Sequence, residues 1–247
     1  MLLIAELAAA AVLLAGPVDR RVRLVNLGDD RTAELLERVD AQLPDAIAAV
    51  ERFWGEDWPR EIVVIGTGSA ADFTARAHLD PGRDWSDIAA VAVADAVDPV
   101  RRRASGQRIV LAPGAAAMSE ESLRIVLAHE LFHLAARADT ATDAPRWLTE
   151  GVADYVARPP AAPPSGAGAE LPTDAALDRA GPQRSVGYDR AWLFARFVAD
   201  TYGADALRRL YDTAAGPGHG DLASAVDAAL GTDLVELQAR WAAWLTG

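Results

Sequence analysis

Three residues near the middle of the chain, His129, Glu130 and His133, form the pattern H-E-x-x-H. Histidines at positions i and i+4 lie on one face of a helix, so both imidazoles can reach one metal ion. Glu130 then lies beside that ion, where its carboxylate can take a proton from a bound water molecule. This combination predicts a zinc site of the hydrolytic kind. The alternative is that the two histidines only form hydrogen bonds inside the core.

A catalytic zinc ion normally has three protein ligands and one open coordination position. Glu150 is the candidate for the third ligand, because it lies on a second predicted helix that can fold back on the first. Asp154 shares its helix face and is expected to accept the second ring N–H of a zinc-bound histidine. The alternative for both carboxylates is a solvated acidic stripe, although apolar residues surround them in the sequence.

The composition narrows the choice of ligands and partners. The 247-residue chain has no cysteine and four histidines, and all 24 of its basic residues are arginine. These counts exclude disulfides, cysteine nucleophiles, thiolate metal sites, lysine Schiff bases and Walker-type phosphate loops. The net charge of −12 argues against a nucleic-acid partner, because such a surface needs clustered positive charge. A metal ion must therefore be held by histidine and carboxylate groups.

Two helices have to position these side chains. The first is predicted over residues 119–137, with Ser119 as its N-cap and two glutamates in its first turn. Most residues between 123 and 136 outside the motif are apolar, so this helix is expected to enter the core. Burying the motif without partners costs several kcal/mol, which a zinc ion would offset. The second helix is predicted over residues 145–157, with Pro145 at its start.

The chain as a whole divides into two halves. Strand-like and helix-like segments alternate through residues 17–118, whereas residues 119–247 are mostly helical, with a Pro- and Gly-rich loop predicted at 158–184. This pattern predicts an α+β fold with a small mixed sheet in the N-terminal half, a helical C-terminal half and an active-site cleft between them. Residues 107–112 are the predicted edge strand, with which an extended peptide would pair.

Residues 1–16 have two interpretations. Residues 7–15 are apolar enough for the core of an export signal, but Glu6 interrupts the stretch and no basic residue precedes it. The favoured interpretation is a shortened export signal, either cleaved or retained as a membrane attachment, and it predicts an extracytoplasmic location. The alternative is an ordinary N-terminal helix, which would leave a cytoplasmic location open.

The two predicted helices resemble those of a known family. His129–His133 followed by residues 145–156, PRWLTEGVADYV, is similar to the gluzincin metallopeptidases, specifically to the peptidase-MA-like domains common in bacteria. The likeness continues through residues 188–207 to the C-terminal segment 231–245, and residues 54–59 are similar to an actinobacterial-type subgroup. Only 16 residues separate the second histidine from the next helix's glutamate, fewer than in the best-known gluzincins, which implies a tight connection.

The resemblance implies a zincin-like fold and the hydrolysis of peptide bonds in a peptide or protein substrate. It implies one Zn²⁺ ion and three zinc ligands: His129, His133 and Glu150. Glu130 would be the general base, and the spacing of Asp154 from the third ligand matches the thermolysin-like E-x-x-x-D pair. Similar enzymes place a tyrosine where it can donate to the oxyanion, and Tyr188 is the candidate here. The alternative is that Tyr188 is a core or capping residue.

Other functions compete with this interpretation. A non-catalytic zinc-binding interaction module would keep the ligands without hydrolysis, although Glu130 is present. Residues 66–71, GTGSAA, follow a strand and precede a helix, as in a nucleotide-binding oxidoreductase. However, Ser69 and Asp72 equally form a capping box, so this alternative is less favoured. His219, in a Gly-rich segment, is a weaker candidate for the oxyanion donor and is favoured as a loop residue.

Overall fold

The computed structural model describes residues 20–164, 168–179 and 181–246. The predicted export signal or N-terminal helix at residues 1–16 lies outside these ranges. In the described part of the N-terminal half, strands and helices alternate in the order β1 (Arg21–Leu27), α1 (Asp30–Trp54), β2 (Glu61–Thr67), α2 (Ala70–Arg76), β3 (Ala90–Val93), β4 (Ala96–Asp98), β5 (Arg103–Ser105) and β6 (Arg108–Leu111).

The C-terminal half is helical throughout its regular elements. Its described helices are α3 (Glu120–Ala136), α4 (Arg146–Ala157), α5 (Asp174–Leu177), α6 (Pro182–Tyr202), α7 (Ala204–Ala215), α8 (Leu222–Leu230) and α9 (Leu234–Thr246). The predicted α+β fold, with a small mixed sheet in the N-terminal half and a helical C-terminal half, is thereby confirmed. None of the helices in the described ranges combines the length and the apolar character needed to cross a bilayer.

The main sheet has the strand order β1-β2-β6-β3. Strands β1, β2 and β6 are parallel, whereas β3 is antiparallel to β6, with Ala90 opposite Leu111. The prediction that residues 107–112 form the edge strand is therefore wrong, because β6 is an internal strand. Ile109 and Val110 are fully buried, and continuous apolar runs are typical of strands covered on both faces. The edge beside α3 is β3.

Between β3 and β6 the chain forms a second, two-stranded sheet, β4–β5, which the sequence did not predict. Each of its strands has three residues, too few to show a clear alternation of polar and apolar side chains. Arg102 at its turn has a φ of 49°. The Arg102 side chain forms an ion pair with Asp139, just after α3, and this contact holds the hairpin against the helical half.

The segment predicted as a loop at residues 158–184 is only partly irregular. Helix α5 lies within it and α6 begins before its end, at Pro182, so the prediction is wrong for these two stretches. The Asp174 carboxylate accepts hydrogen bonds from the backbone N–H groups of Arg146 and Trp147, at 3.2 and 2.8 Å. This contact anchors α5 to the start of α4. It joins residues far apart in sequence, so local composition could not reveal it.

Helix α3 lies between α1 and α4, in the core. Its first turn is capped as predicted, because the Ser119 Oγ accepts the Ser122 N–H at 3.2 Å. Leu123, Leu127 and Leu131 are fully buried, and each contributes about 1.5–3 kcal/mol by leaving water. These leucines draw the helix into the interior, and the H-E-x-x-H residues enter with it.

Helices α4 and α6 approach each other most closely at Gly151. A Cβ atom at this position would lie 2.4 Å from the backbone oxygen of Ala191, much closer than non-bonded atoms pack. Glycine therefore sets the distance between the helix that carries Glu150 and the helix that carries Tyr188.

Candidate metal centre

Helices α3 and α4 bring His129, His133 and Glu150 together. The Nε2 atoms of the two histidines are 3.1 Å apart, and the Glu150 Oε2 lies 3.2 Å from that of His129 and 3.6 Å from that of His133. One ligand atom from each residue lies within 4.8 Å of the others. Donors bound tetrahedrally at 2.0–2.1 Å are separated by about 3.3 Å. The cluster therefore has the spacing that one small metal ion requires.

The cluster is partly shielded from water but remains open on one side. The side chains of His129, His133 and Glu150 are 16%, 18% and 21% exposed. The two Nε2 atoms can form a hydrogen bond to each other only if one of them carries a proton. A metal ion would instead accept a lone pair from each. The residues present therefore fit a metal ion, as predicted, although the donor set by itself does not identify zinc.

Asp154 lies where the sequence predicted it, against the other nitrogen of His129. Its Oδ1 is 2.9 Å from the His129 Nδ1, and the side chain is 12% exposed. Since a carboxylate only accepts hydrogen bonds, the ring donates from Nδ1 and directs the Nε2 lone pair into the cluster. Asp154 thereby holds both the orientation and the tautomer of the imidazole.

The sequence did not reveal what supports Asp154. Arg158, one turn further along the chain, lies with its Nη1 3.3 Å from the Asp154 Oδ2 and 3.0 Å from the Asp189 Oδ1. Its guanidinium also lies 4.0 Å from the centre of the Trp192 ring. Asp189 and Trp192 belong to α6, so this arginine connects the carboxylate behind the metal cluster to the helix that carries Tyr188.

Replacing Asp154 by asparagine is expected to weaken metal binding about 10- to 100-fold, because a neutral amide holds the His129 tautomer less firmly. Competition against a chelator of known affinity measures the change. Asp227→Asn, at an exposed position on α8, is the matched control and should leave the affinity unaltered. Equal metal affinities for both variants would contradict the role given to Asp154.

The contacts among the side chains of the cluster determine which of them bind a proton. Burial alone would lower the pKa of His129, but hydrogen bonds to Asp154 and Glu150 outweigh it and raise that pKa well above its usual value. Burial acts to raise the pKa of Glu150, yet the charges and hydrogen bonds of His133 and His129 hold it well below its usual value. These contacts therefore favour a protonated His129 next to an ionised Glu150 when no metal ion is bound. Metal binding has to displace that proton.

Glu130 lies beside the cluster and contacts the edge strand. Its Oε2 accepts the backbone N–H of Ala92 on β3 at 2.6 Å. Burial raises the pKa of Glu130, and the charges of His129 and His133 oppose that rise. The hydrogen bond to β3 consequently holds the Glu130 carboxylate in a fixed orientation beside the two histidines.

A cavity of about 800 Å³ opens onto the cluster. Its walls are β3 and the residues before it, one face of α3, and side chains from α4, α6 and α7. The four predicted site residues of α3 and α4, His129, Glu130, His133 and Glu150, all line it, together with Asp154 and Tyr188. Its volume is that of a typical small-molecule site, large enough for a short peptide segment.

Tyr188 lines this cavity from the second turn of α6, the helix that begins at Pro182. Burial raises the pKa of Tyr188 to about 12, so its hydroxyl stays protonated at neutral pH and can donate a hydrogen bond. Tyr211, which the sequence analysis did not single out, also lines the cavity, and its hydroxyl lies 2.8 Å from the Thr140 Oγ1.

The remaining candidate residues lie elsewhere. His219 is not part of the group of potential metal ligands. Its Nε2 is 3.5 Å from the Oδ1 of Asp143, which lies in the connection between α3 and α4. In residues 66–71, a Cβ at Gly68 would lie 2.7 Å from the Gly28 Cα. Close packing against the end of β1 therefore explains the glycine at this position, and no bound nucleotide is needed to account for it. Ser69 caps α2 through the Asp72 N–H, as the capping-box interpretation predicted.

Comparisons with known proteins do not assign this chain to a family. No protein-family model matches the sequence, and no curated protein matches it closely enough to be called a relative. The likeness to peptidase-MA-like domains therefore stays a prediction. The features that indicate a function are therefore the cluster of His129, His133 and Glu150, the neighbouring Glu130 and the cavity that they line.

Proposed function

We propose that this protein is a zinc-dependent metallopeptidase of the gluzincin type. The observation that carries the proposal is the convergence of His129, His133 and Glu150 beside Glu130, on the wall of an open cavity. Two histidines and one glutamate are a donor set of catalytic zinc, which leaves one coordination position for a substrate or water. A purely structural zinc site would instead be closed by a fourth protein ligand.

When bound, zinc supplies Lewis-acid chemistry, polarising a carbonyl group and lowering the pKa of water. Glu130 then receives the proton of the attacking water and passes it to the leaving amine. Because its Oε2 already accepts the Ala92 N–H, the Oε1 atom is the one left for the proton. Tyr188, protonated at neutral pH, donates a hydrogen bond to the carbonyl oxygen as negative charge develops there.

The substrate backbone is proposed to pair with β3, the edge strand, and not with the internal strand β6. The Ala112 N–H bonds to the Ala89 oxygen across the β3–β6 pair, so Ala90 and Ala92 turn their backbone groups to the open edge. At Ala92 these groups are held by Glu130 and Arg137. Ala90 is therefore the residue of β3 that would add an extended peptide to the sheet.

The proposal is tested on purified protein by mass spectrometry of its metal content and by hydrolysis of a peptide mixture. We expect about one zinc ion per chain, since the cluster offers one three-ligand site. Hydrolysis should stop when a chelator removes the ion and return when zinc is added. Intact peptides after incubation with zinc-loaded protein, or hydrolysis unaffected by metal removal, would refute the proposed function.

A further inference from the structure

The residue that follows α3, Arg137, lines the same cavity. It comes four residues after His133, so it lies on the helix face of the H-E-x-x-H histidines, one turn further on. Its Nη2 donates a hydrogen bond to the Ala92 oxygen at 2.7 Å. The edge strand thus fixes the plane of the guanidinium, and the group is oriented before any ligand arrives.

Arg137 carries a charge that its surroundings do not neutralise. None of the described carboxylates forms an ion pair with it, and its buried Nε atom has no hydrogen-bond partner in the described part of the chain. Burial lowers the pKa of Arg137, and the negative charge of Glu130 opposes that shift. Arg137 is thus a half-buried cation without an ion pair, and an anionic ligand would supply the partner that it lacks.

The acidic groups of the cavity wall are occupied elsewhere. Glu130 accepts the Ala92 N–H, Glu150 contacts the two histidines, and Asp154 contacts His129. The fourth acidic group of the wall, Asp87, is paired with Arg184 at 2.8 Å. Arg137 is the only arginine among the described residues that line the cavity, which has no lysine. Besides the metal ion, an incoming carboxylate would therefore find Arg137 to pair with, and its guanidinium retains donors in a planar fork suited to two parallel hydrogen bonds.

Helix geometry sets the distance at which such a carboxylate lies from the reaction. Residues four apart on a helix are separated by about 6 Å along its axis, and an extended peptide advances about 3.3 Å per residue. We propose that Arg137 selects substrates that carry a carboxylate about two residues from the scissile bond. That carboxylate belongs either to an acidic side chain or to a chain terminus. This inference rests on the proposed peptidase function.

The test uses zinc-loaded protein and a proteome-derived peptide mixture, offered once with free carboxyl groups and once with all carboxyl groups amidated. Mass spectrometry of the products gives the cleavage sites. Single peptides built on the best site then compare Glu with Gln at the selected position, and a free C-terminus with its amide. These two pairs distinguish an acidic side chain from a terminal carboxylate as the recognised group.

Variants connect the preference to Arg137. We expect the wild type to favour the acidic peptide of the relevant pair about tenfold or more in kcat/KM, and Arg137→Met to reduce that ratio to about one. Arg137→Lys, which keeps the charge and a donor for the Ala92 oxygen, should retain part of the preference. Arg209→Met removes the same charge at an exposed position on α7 that does not line the cavity, and it should change nothing.

Binding of the two peptide mixtures to immobilised protein separates this inference from the proposed function. Selective retention of free-carboxyl peptides by the wild type, but not by Arg137→Met, supports the inference even if no peptide is cleaved. Cleavage without a preference for acidic peptides would overturn the inference while leaving the peptidase function standing. The same preference in Arg137→Met as in the wild type, or equal retention of both mixtures, would also overturn it.

Discussion

Replacement of Glu130 by glutamine is expected to lower kcat for peptide hydrolysis by about 10²–10⁴-fold, the contribution of a well-placed general base. Glutamine has the same shape, but its amide cannot take the proton of the attacking water. Its carbonyl oxygen can still accept the Ala92 N–H, so β3 should remain in place. The metal ligands are untouched, and zinc content should equal that of the wild type.

The measurement is kcat with a saturating peptide, made beside a metal analysis of the same sample. Glu121→Gln provides the control, because it removes an equal charge at an exposed position in the first turn of the same helix. Full metal content with lost hydrolysis assigns the proton transfer to Glu130. If Glu130→Gln keeps both zinc and activity, the cluster is a metal site whose chemistry does not use this carboxylate.

How much of this site could be predicted from the sequence depends on how local each signal is. The H-E-x-x-H spacing, the Ser119 cap and the apolar run of α3 are all encoded within one helix, and the structure bears out that helix closely. Glu150 lies on the next helix along the chain, separated from the motif by 16 residues. Its approach to the histidines could be predicted, because the connection is short and the two adjacent helices both have apolar faces.

The features that the sequence missed depend on contacts between distant segments. The apolar run of residues 107–112 predicts a strand, but the order of strands in a sheet is not contained in that run, and β6 lies inside the sheet. Strand β3 is a short, alanine-rich segment, and its importance arises only because Glu130 and Arg137 hold Ala92. Arg137 itself follows the motif as an ordinary arginine, and only its place on the cavity wall and the absence of an ion pair among the described residues single it out.

Replacement of His133 by alanine is expected to abolish stoichiometric zinc binding and, with it, all metal-dependent hydrolysis. Two donors, His129 and Glu150, would remain, and a catalytic zinc ion needs three protein ligands to stay bound. The remaining pair would still form the imidazolium–carboxylate contact at 3.2 Å. Because protons compete with the metal for these two groups, the two remaining donors should not retain the ion through dialysis.

Metal analysis after dialysis, together with the peptide assay, checks this result. His219→Ala is the matched control, because that histidine lies outside the cluster, and it should keep both zinc and activity. Circular dichroism separates a lost ligand from a lost fold, and Leu123, Leu127 and Leu131 should hold α3 in the core of the metal-free variant. A folded His133→Ala protein that retains stoichiometric zinc would place the metal elsewhere and remove the basis for the proposed hydrolysis.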